Sequence, residues 1–472
     1  MNVLAPLCSA KRATRPCSGY GTGLSTEGES TSKPRDAMNQ IVSGWGRHPR
    51  LSAEIDQPRD LEGVRACLRD TRKALIPRGL GRSYGDAALA ARILSGPSLG
   101  HLLSFDAQTG RLRAQGGTTL DKVIDFALPR GWFLPVTPGT KFPTLAGCVA
   151  ADVHGKNHHG VGSLSAFVET LQIVLADGSL VTCSREDHAE LFWATMGGMG
   201  LTGVIYAVDL RLQPVHSVFV KNVSLRTGSL SETCRVLCET QDDYPYSVAW
   251  IDTLTRRGRG RGQVMLGAHA EDGRLQPLHR PPRLSVPDLP MNLVVRPGLH
   301  LVNRAKHGMQ WRRRVAATVH YDPYFYPLDA IDGWNRLYGR RGFLQFQFAV
   351  PGVDGEAVMA AALERTNRAA PCALAVLKTF GDHPSGPLGF PLPGYTLALD
   401  FPRTDAIEEA VRAATDDIIA AGGRVYLAKD SVITQDQFAA MYPRLEEFRR
   451  LRRQVDPQGR FRSLQSDRLG LS

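Results

Sequence analysis

"PGTKFPTLAGCVAADVHGKNHHGVGS", residues 138–163, is the stretch whose reading decides the fold. It carries the histidines His154, His158 and His159, Lys156 and Asn157 among glycines, with little side-chain bulk. Two kinds of site use such a segment: a metal centre, or a loop that lies against a large polar ligand. A metal is best held by ligands on rigid elements with carboxylates or thiolates close by. Here Asp152 is the only close acid and the histidines sit in a loop, so zinc ranks second and no metal site is expected. The small residues Ala146, Gly147, Ala150, Ala151 and Gly155 indicate instead that something flat or bulky lies against this backbone.

Two more segments of the same kind flank it. "PRGLGRSYGD", Pro77–Asp86, follows a short apolar run and holds Gly79, Gly81 and Gly85. Glycines let backbone N–H groups approach a pyrophosphate and form an anion-binding nest, although this stretch alone is also compatible with an ordinary glycine-rich turn. Its spacing is not that of a Rossmann fingerprint, and no Gly-Lys-Ser/Thr closes it as in a P-loop. Gly197-Gly198-Met199-Gly200 is the third approach point. Three separated glycine-rich segments suit an extended cofactor such as FAD better than a mononucleotide.

The surrounding chain is α+β with no regular βαβ repeat. "LQIVLADGSLVTCS" is predicted to be a hairpin turning at Asp177-Gly178. Leu61, Val64, Cys67 and Leu68 have helical spacing within 60–71. From about 215 the strands lengthen. "GFLQFQFAVP" alternates strictly, with Phe343, Gln345, Gln347 and Ala349 on one face and Leu344, Phe346, Phe348 and Val350 on the other. Thr404 is placed to cap a helix ending at Gly422-Gly423, and "RVYLAKD" reads as a following strand. Residues 1–37 lack the periodicity of a folded element and are expected to be a disordered tail or a mis-assigned start ahead of Met38. The expected division is 38–214, 215–410 and a C-terminal segment 411–472.

Composition narrows the function. At 472 residues the chain exceeds one ordinary core. Its 43% hydrophobic and 22% charged content are those of a soluble globular protein. A net charge of +11 is spread over short runs such as 256–261 and 312–314. That argues against nucleic acid, for which charge is usually gathered on one element, and for an anionic ligand or membrane surface. The eight cysteines show no paired framework; Cys234 and Cys238 are one helix turn apart.

With these motifs assembled, the chain resembles the FAD-binding domain of the vanillyl-alcohol oxidase superfamily. The carriers are "PRGLGRSYGD", "PVTPGTKFPTLAGCVAADVHGKNHH" and "ELFWATMGGMGLTGVI". Within the superfamily it is most similar to the decaprenylphosphoryl-β-D-ribose 2′-oxidases of arabinan-making bacteria. That similarity extends through "YPLDAIDGWNRLYGRRGFLQFQFAVP", "FPLPGYTLALDFP", "GGRVYLAKDS" and "MYPRLEEFRRLRRQVDP". The resemblance implies a two-subdomain FAD-binding domain plus a substrate domain built on an antiparallel sheet with flanking helices. It implies oxidation of the 2-hydroxyl of a pentose on a polyprenyl phosphate to a 2-keto sugar, which a partner NAD(P)H-dependent keto-reductase returns as the epimer.

Carried onto this chain, the resemblance places a non-covalent FAD against Pro77, Arg78, Gly79, Leu80, Gly81, Arg82, Ser83, Tyr84, Gly85, Asp86 and Ala87. It adds Gly139, Thr144, Leu145, Ala146, Gly147, His154, Gly155, Lys156, Asn157, Ile205 and Tyr426. Tyr84 matches a position linked to gating. Lys429 and Tyr426 fall beside the isoalloxazine as the catalytic pair, whereas without the resemblance Lys429 reads as a surface cation paired with Asp430. Gln345, Gln347, Lys378, Thr396 and Ala398 are the expected substrate residues, Lys378 meeting the phosphate. Thr396-Leu397-Ala398 departs from the family's Asn-x-Cys, which removes the cysteine attacked by covalent nitroaromatic inhibitors and leaves the chemistry intact.

The resemblance leaves an aldonolactone or free-sugar oxidase of the same superfamily as the alternative, and a non-enzymatic zinc protein as a remote one. No run of 18 apolar residues and no apolar leader is present, so a cytoplasmic protein is expected, with a periplasmic face open by another export route. Peripheral, salt-sensitive membrane contact is expected through the basic segments 256–261 and 280–283 and a flap over 273–299.

Overall fold

The structure is a computed structural model that describes residues 39–70, 73–255, 260–276 and 284–471. Its first half is built on two sheets. A four-stranded sheet has the order Asn39–Ser43, Arg50–Asp56, Arg92–Ser95, Ile76–Arg78, the last three strands running parallel. A five-stranded antiparallel sheet has the order Leu102–Asp106, Arg111–Gln115, Val204–Arg211, Val168–Val174, Leu180–Ser184. The predicted hairpin is its edge, and Gly178 takes the left-handed φ of 85° that the tight turn requires. The predicted first helix runs Leu61–Arg69, its first turn closed by the Asp60 carboxylate accepting from the Gly63 N–H.

The second half is one eight-stranded sheet, ordered Arg314–His320, Phe219–Thr227, Arg261–His269, Tyr246–Asp252, Leu374–Phe380, Gly394–Pro402, Phe343–Pro351, Arg424–Val425. All its neighbouring strands pair antiparallel. Leu344, Phe346, Phe348 and Val350 are buried, and helices Gly355–Ala369 and Asp405–Ala420 pack on this part of the sheet. The second helix buries Ile407, Val411, Ala414 and Ile418 and is capped by Thr404, whose hydroxyl accepts from the Ile407 N–H. It spans the expected 410/411 boundary. The other sheet face, carrying Gln345 and Gln347, is turned to an internal cavity. Cys234 and Cys238 lie on helix Leu230–Glu239. The basic run 256–259 and residues 277–283, including 280–283, lie outside the described residues.

Three features position the site. "RVYLAKD" is a strand only over Arg424–Val425. The Tyr426 N–H still bonds the Gln347 carbonyl, but the N–H groups of Lys429 and Asp430 turn back onto the Tyr426 carbonyl. The chain then returns to the first half, where Phe461 bridges Leu75 and the Leu464 N–H bonds the Leu89 carbonyl. Finally, one continuous core joins both halves, from Ile76 and Leu145 to Phe348 and Phe448. Among the described residues no helix is long and apolar enough to cross a membrane.

Candidate functional site

A cavity of about 600 Å³ lies between the glycine-rich segments and the eight-stranded sheet. Its first wall is the stretch 138–163 and its two glycine-rich companions. Pro77, Arg78, Gly79, Leu80, Gly81, Arg82, Ser83, Tyr84 and Ala87 line it, as do Gly139, Thr144, Ala146, Gly147, His154, Gly155, Lys156 and Ile205. Gly85, Asp86, Leu145 and Asn157 stand behind that wall. A Cβ on Gly85 would lie 2.0 Å from the Asp430 carbonyl oxygen, Leu145 is in the core, and the Asn157 amide donates to the Pro135 carbonyl.

The loop 77–87 is held by its own side chains. The Arg78 guanidinium donates to the Ser43 and Ala88 carbonyls at 2.7 and 3.1 Å. Gly81 has φ 63°, and a Cβ there would meet that guanidinium at 2.1 Å. Arg82 stacks over Trp45, 4.2 Å from the ring centroid. Deeper in, a Cβ on Gly116 would sit 2.1 Å from the Ile205 carbonyl oxygen, so this wall can only be bare backbone. The small-residue wall, together with a buried His154 Nδ1 that has no hydrogen-bond partner among the described residues, fits a large flat polar group.

The three histidines do not converge on a metal. His154 Nε2 is 3.0 Å from the Gln347 amide nitrogen, which therefore donates to it. The His158 ring packs on Phe380 at 4.3 Å, and His159 Nε2 is 3.1 Å from the Tyr244 carbonyl. Burial drives the proton affinity of His154 far down and that of His158 to about 3, so both rings are neutral. No group of three or more metal-binding side chains occurs among the described residues.

The second wall carries the charge. Gln345, Gln347, Lys378 and Ala398 line the cavity, with Leu374, Val376, Val248, Trp250 and Met265 continuing it as an apolar surface. Thr396 is buried beside them; its hydroxyl accepts from Gln347 at 3.2 Å and donates to the Phe348 carbonyl at 2.9 Å. Lys429 is not a surface cation paired with Asp430. Its Nζ lies 3.7 Å from the Tyr84 ring centroid at the cavity, whereas Asp430 is taken by Arg468. The Tyr426 hydroxyl donates to the Ala151 carbonyl at 2.7 Å and its ring stacks on Phe390, so its proton is already committed and it braces the wall.

Sequence reasoning missed Asp400, which falls opposite Gln345 on the same sheet face. Its carboxylate is buried, accepts from the Gln345 amide through one oxygen, and has no partner for the other among the described residues. Burial raises its affinity for a proton, while the charge of Lys429 opposes that rise. Burial lowers the affinity of Lys429, and that of Lys378 to about 8. Burial likewise pushes Lys156 down to about 7; its Nζ donates to the Tyr324 carbonyl. The cavity thus gathers the partly buried Lys156, Lys378 and Lys429, with Asp329 on its lining and the buried Asp400 beside Lys429, a setting suited to an anionic ligand.

Behind the wall, Asp152 gives a pH prediction. Its carboxylate is buried, accepts from the Ser165 N–H and hydroxyl at 3.0 and 3.1 Å, and is pushed up to about 6 by burial. The folded chain therefore binds a proton there more tightly than the unfolded one, so this contribution to stability is complete below about pH 4 and lost as pH rises through about 6. Two pH units correspond to about 3 kcal/mol. Asp152→Asn keeps an acceptor for Ser165 and suits the φ of 37° at this position. Denaturant unfolding should show the variant matching the parent near pH 4 and exceeding it by up to about 3 kcal/mol at pH 7. A difference that does not change with pH would mean that Asp152 stays ionised throughout.

Comparison with known proteins agrees with this geometry. Residues 50–184 match the FAD binding domain family, and residues 401–469 match the D-arabinono-1,4-lactone oxidase family. The chain is 35% identical over 455 residues to the decaprenylphosphoryl-β-D-ribose oxidase of Mycolicibacterium smegmatis, covering 91% of this chain and 97% of that protein. It is 35% identical over 373 residues to an uncharacterized protein of Streptomyces coelicolor, covering 75% of this chain and all of that one. A putative D-arabinono-1,4-lactone oxidase of Neurospora crassa is 27% identical over 36% of this chain and 31% of its own length. A glycine-walled cavity that fits FAD, facing Lys378 on an antiparallel sheet and Lys429 just past its edge strand, therefore goes with near full-length similarity, and the chain belongs to the decaprenylphosphoryl-β-D-ribose oxidase family of FAD-dependent oxidoreductases.

Proposed function

We propose that the protein oxidises the 2-hydroxyl of a pentose carried on a polyprenyl phosphate, giving the 2-keto sugar. The observation that carries this reading is the shape of the second wall. Lys378 and Lys429, both partly buried, line the same cavity as the glycine-rich segments and an apolar surface formed by Val248, Trp250, Met265, Leu374 and Val376. A cation, Lys378, in a cavity with an apolar wall matches a phosphate on a hydrocarbon tail, whereas a soluble sugar acid leaves the apolar wall without a role. The substrate named for the Mycolicibacterium smegmatis relative has that chemistry.

FAD, when bound, supplies the two-electron acceptor. The protein's residues do the rest. Lys378 holds the phosphate, and the Gln347 amide, fixed by His154 and Thr396, fixes the neighbouring wall. Lys429 hydrogen-bonds the reacting hydroxyl; its lowered proton affinity lets its amine take the hydroxyl proton, with Asp400 as the nearby carboxylate of raised affinity. A keto product calls for an NAD(P)H-dependent keto-reductase as the partner that returns the epimeric pentose.

The similarity of residues 401–469 to D-arabinono-1,4-lactone oxidases favours a second reading, oxidation of a soluble aldonolactone. One experiment separates them. The purified protein is expected to be yellow, to release its FAD on acid precipitation, and to bleach anaerobically with polyprenyl-phosphoryl ribose but not with D-arabinono-1,4-lactone. Bleaching by the lactone alone would select the second reading, and a colourless protein that takes up no FAD would overturn both.

A further inference from the structure

The helix Arg296–Met309 is turned inside out. Apart from Leu299, which packs against the cluster of Val294, Tyr338 and Phe343, its inner side is polar and tied to the cavity face of the sheet. Asn303 donates to the Asp252 carboxylate at 2.9 Å, Arg226 approaches His307 Nδ1 at 3.0 Å, and Gln310 bonds the Ser224 hydroxyl at 2.7 Å as well as Gln263. Its outer side carries Leu301, Val302 and Met309, 71%, 60% and 84% exposed, and Trp311 follows at 74%. A surface helix in water normally shows the reverse arrangement, apolar inward and polar outward. An outward apolar stripe of this kind marks a contact surface.

The charge around the stripe identifies the contact. Between residues 284 and 314 there is one acid, Asp288, which pairs with Arg47; of the cations there, Lys306 turns to the cavity and Arg313 pairs with Glu232, which leaves Arg304, Arg312 and Arg314 as exposed charge near the stripe. Aliphatic and tryptophan side chains ringed by arginine are the composition of a helix that lies in the headgroup layer of an anionic bilayer. The stripe is also continuous with the cavity: Lys306 lines it and places Nζ 4.2 Å from the Trp250 ring centroid, on the same apolar wall.

We propose that the outer face of helix Arg296–Met309, with Trp311, seats on an anionic phospholipid surface and thereby sets the apolar end of the cavity against the bilayer. A lipid-carried substrate then passes from bilayer to cavity beside Lys306 without its tail crossing water. Only that delivery step rests on the proposed reaction; the docking itself does not.

The test uses the full-length, FAD-loaded protein in flotation with phosphatidylcholine vesicles, with and without phosphatidylglycerol, at low and high salt. Binding is expected only with phosphatidylglycerol, weakened by salt. In the triple variant Leu301→Ser, Val302→Ser, Trp311→Ser the floated fraction should fall about tenfold, while the flavin spectrum and turnover of a short-chain, water-soluble substrate analogue stay at wild-type values. Wild-type protein that fails to float at low salt, or a triple variant that floats equally well, would overturn the proposal. So would light scattering that shows a dimer broken by the three substitutions, since the face would then be a self-interface. Salt-sensitive vesicle binding combined with no turnover of any polyprenyl-phosphoryl pentose would leave the docking standing and remove the reaction.

Discussion

Lys429→Met is expected to give a folded, yellow protein whose flavin substrate no longer reduces, with turnover down by about two to three orders of magnitude. FAD retention follows from the construction of the first wall, which is mostly backbone and small side chains on the 77–87, 138–163 and 197–205 segments. Loss of turnover follows from the position of Lys429, partly buried at the cavity over Tyr84 and close to the Asp400 carboxylate. Methionine keeps most of the volume and removes the amine that takes the proton. Lys378→Met should separate the two lysines: with Lys378 as the proposed phosphate partner, the change raises KM more than it lowers kcat. Anaerobic stopped-flow measurement of flavin bleaching reads both variants. A Lys429→Met protein that bleaches at the wild-type rate would show that Lys429 takes no part in the reaction.

Arg468→Met should be the most damaging substitution to stability. One guanidinium bonds the carboxylates of Asp86, at 3.0 and 2.9 Å, and Asp430, at 2.8 Å, and both acids are buried. Removing the shared cation leaves two buried carboxylates without their countercharge, a change that costs about 3–5 kcal/mol. The same clamp holds the end of the 77–86 loop beside Lys429, so FAD content should drop with stability. Chemical denaturation and flavin content measured together test this, and unchanged values for both would mean that the two acids find other partners. Arg468→Lys should recover only part of the loss, since an ammonium cannot span both carboxylates in the way a planar fork does.

The parts of this molecule legible in its sequence are those that local chemistry controls. Gly81 and Gly178 announce turns because the backbone there takes positive φ. Gln345 and Gln347 announce a strand face through strict alternation, and Thr404 announces a helix start. What the alternation leaves open is the side on which the glutamine face lies, because a solvated face and a cavity face read alike until the partner layer is known. Lys429 was legible only through the family resemblance, since "LAKD" by itself favours a surface pair with Asp430. Asp400 was missed for a related reason: an acid near the end of "GYTLALDFP" looks like a strand terminus, and only pairing with Gln345 places it at the site. The Asp86–Arg468–Asp430 clamp joins residues 382 positions apart and has no local signature at all. Helix Arg296–Met309 begins inside the proline-rich stretch 273–299 that reads as a flap and continues beyond it, and its reversed polarity gives no inward apolar stripe to announce it.

The return of the chain to the first half has a consequence for the order of assembly. A ribosome delivers Asp86 well before Arg468, 382 positions later, yet it is Arg468 that fastens the 77–86 loop to the Lys429 turn. Bridging Leu75 to Phe461 likewise waits for a long stretch of intervening chain. A growing chain can therefore form its three larger sheets while its cofactor groove still lacks its latch, and local contacts alone do not finish the groove. Secure retention of the cofactor thus waits on a distant part of the chain, a delay written into the sequence distance between the two sides of one ion pair.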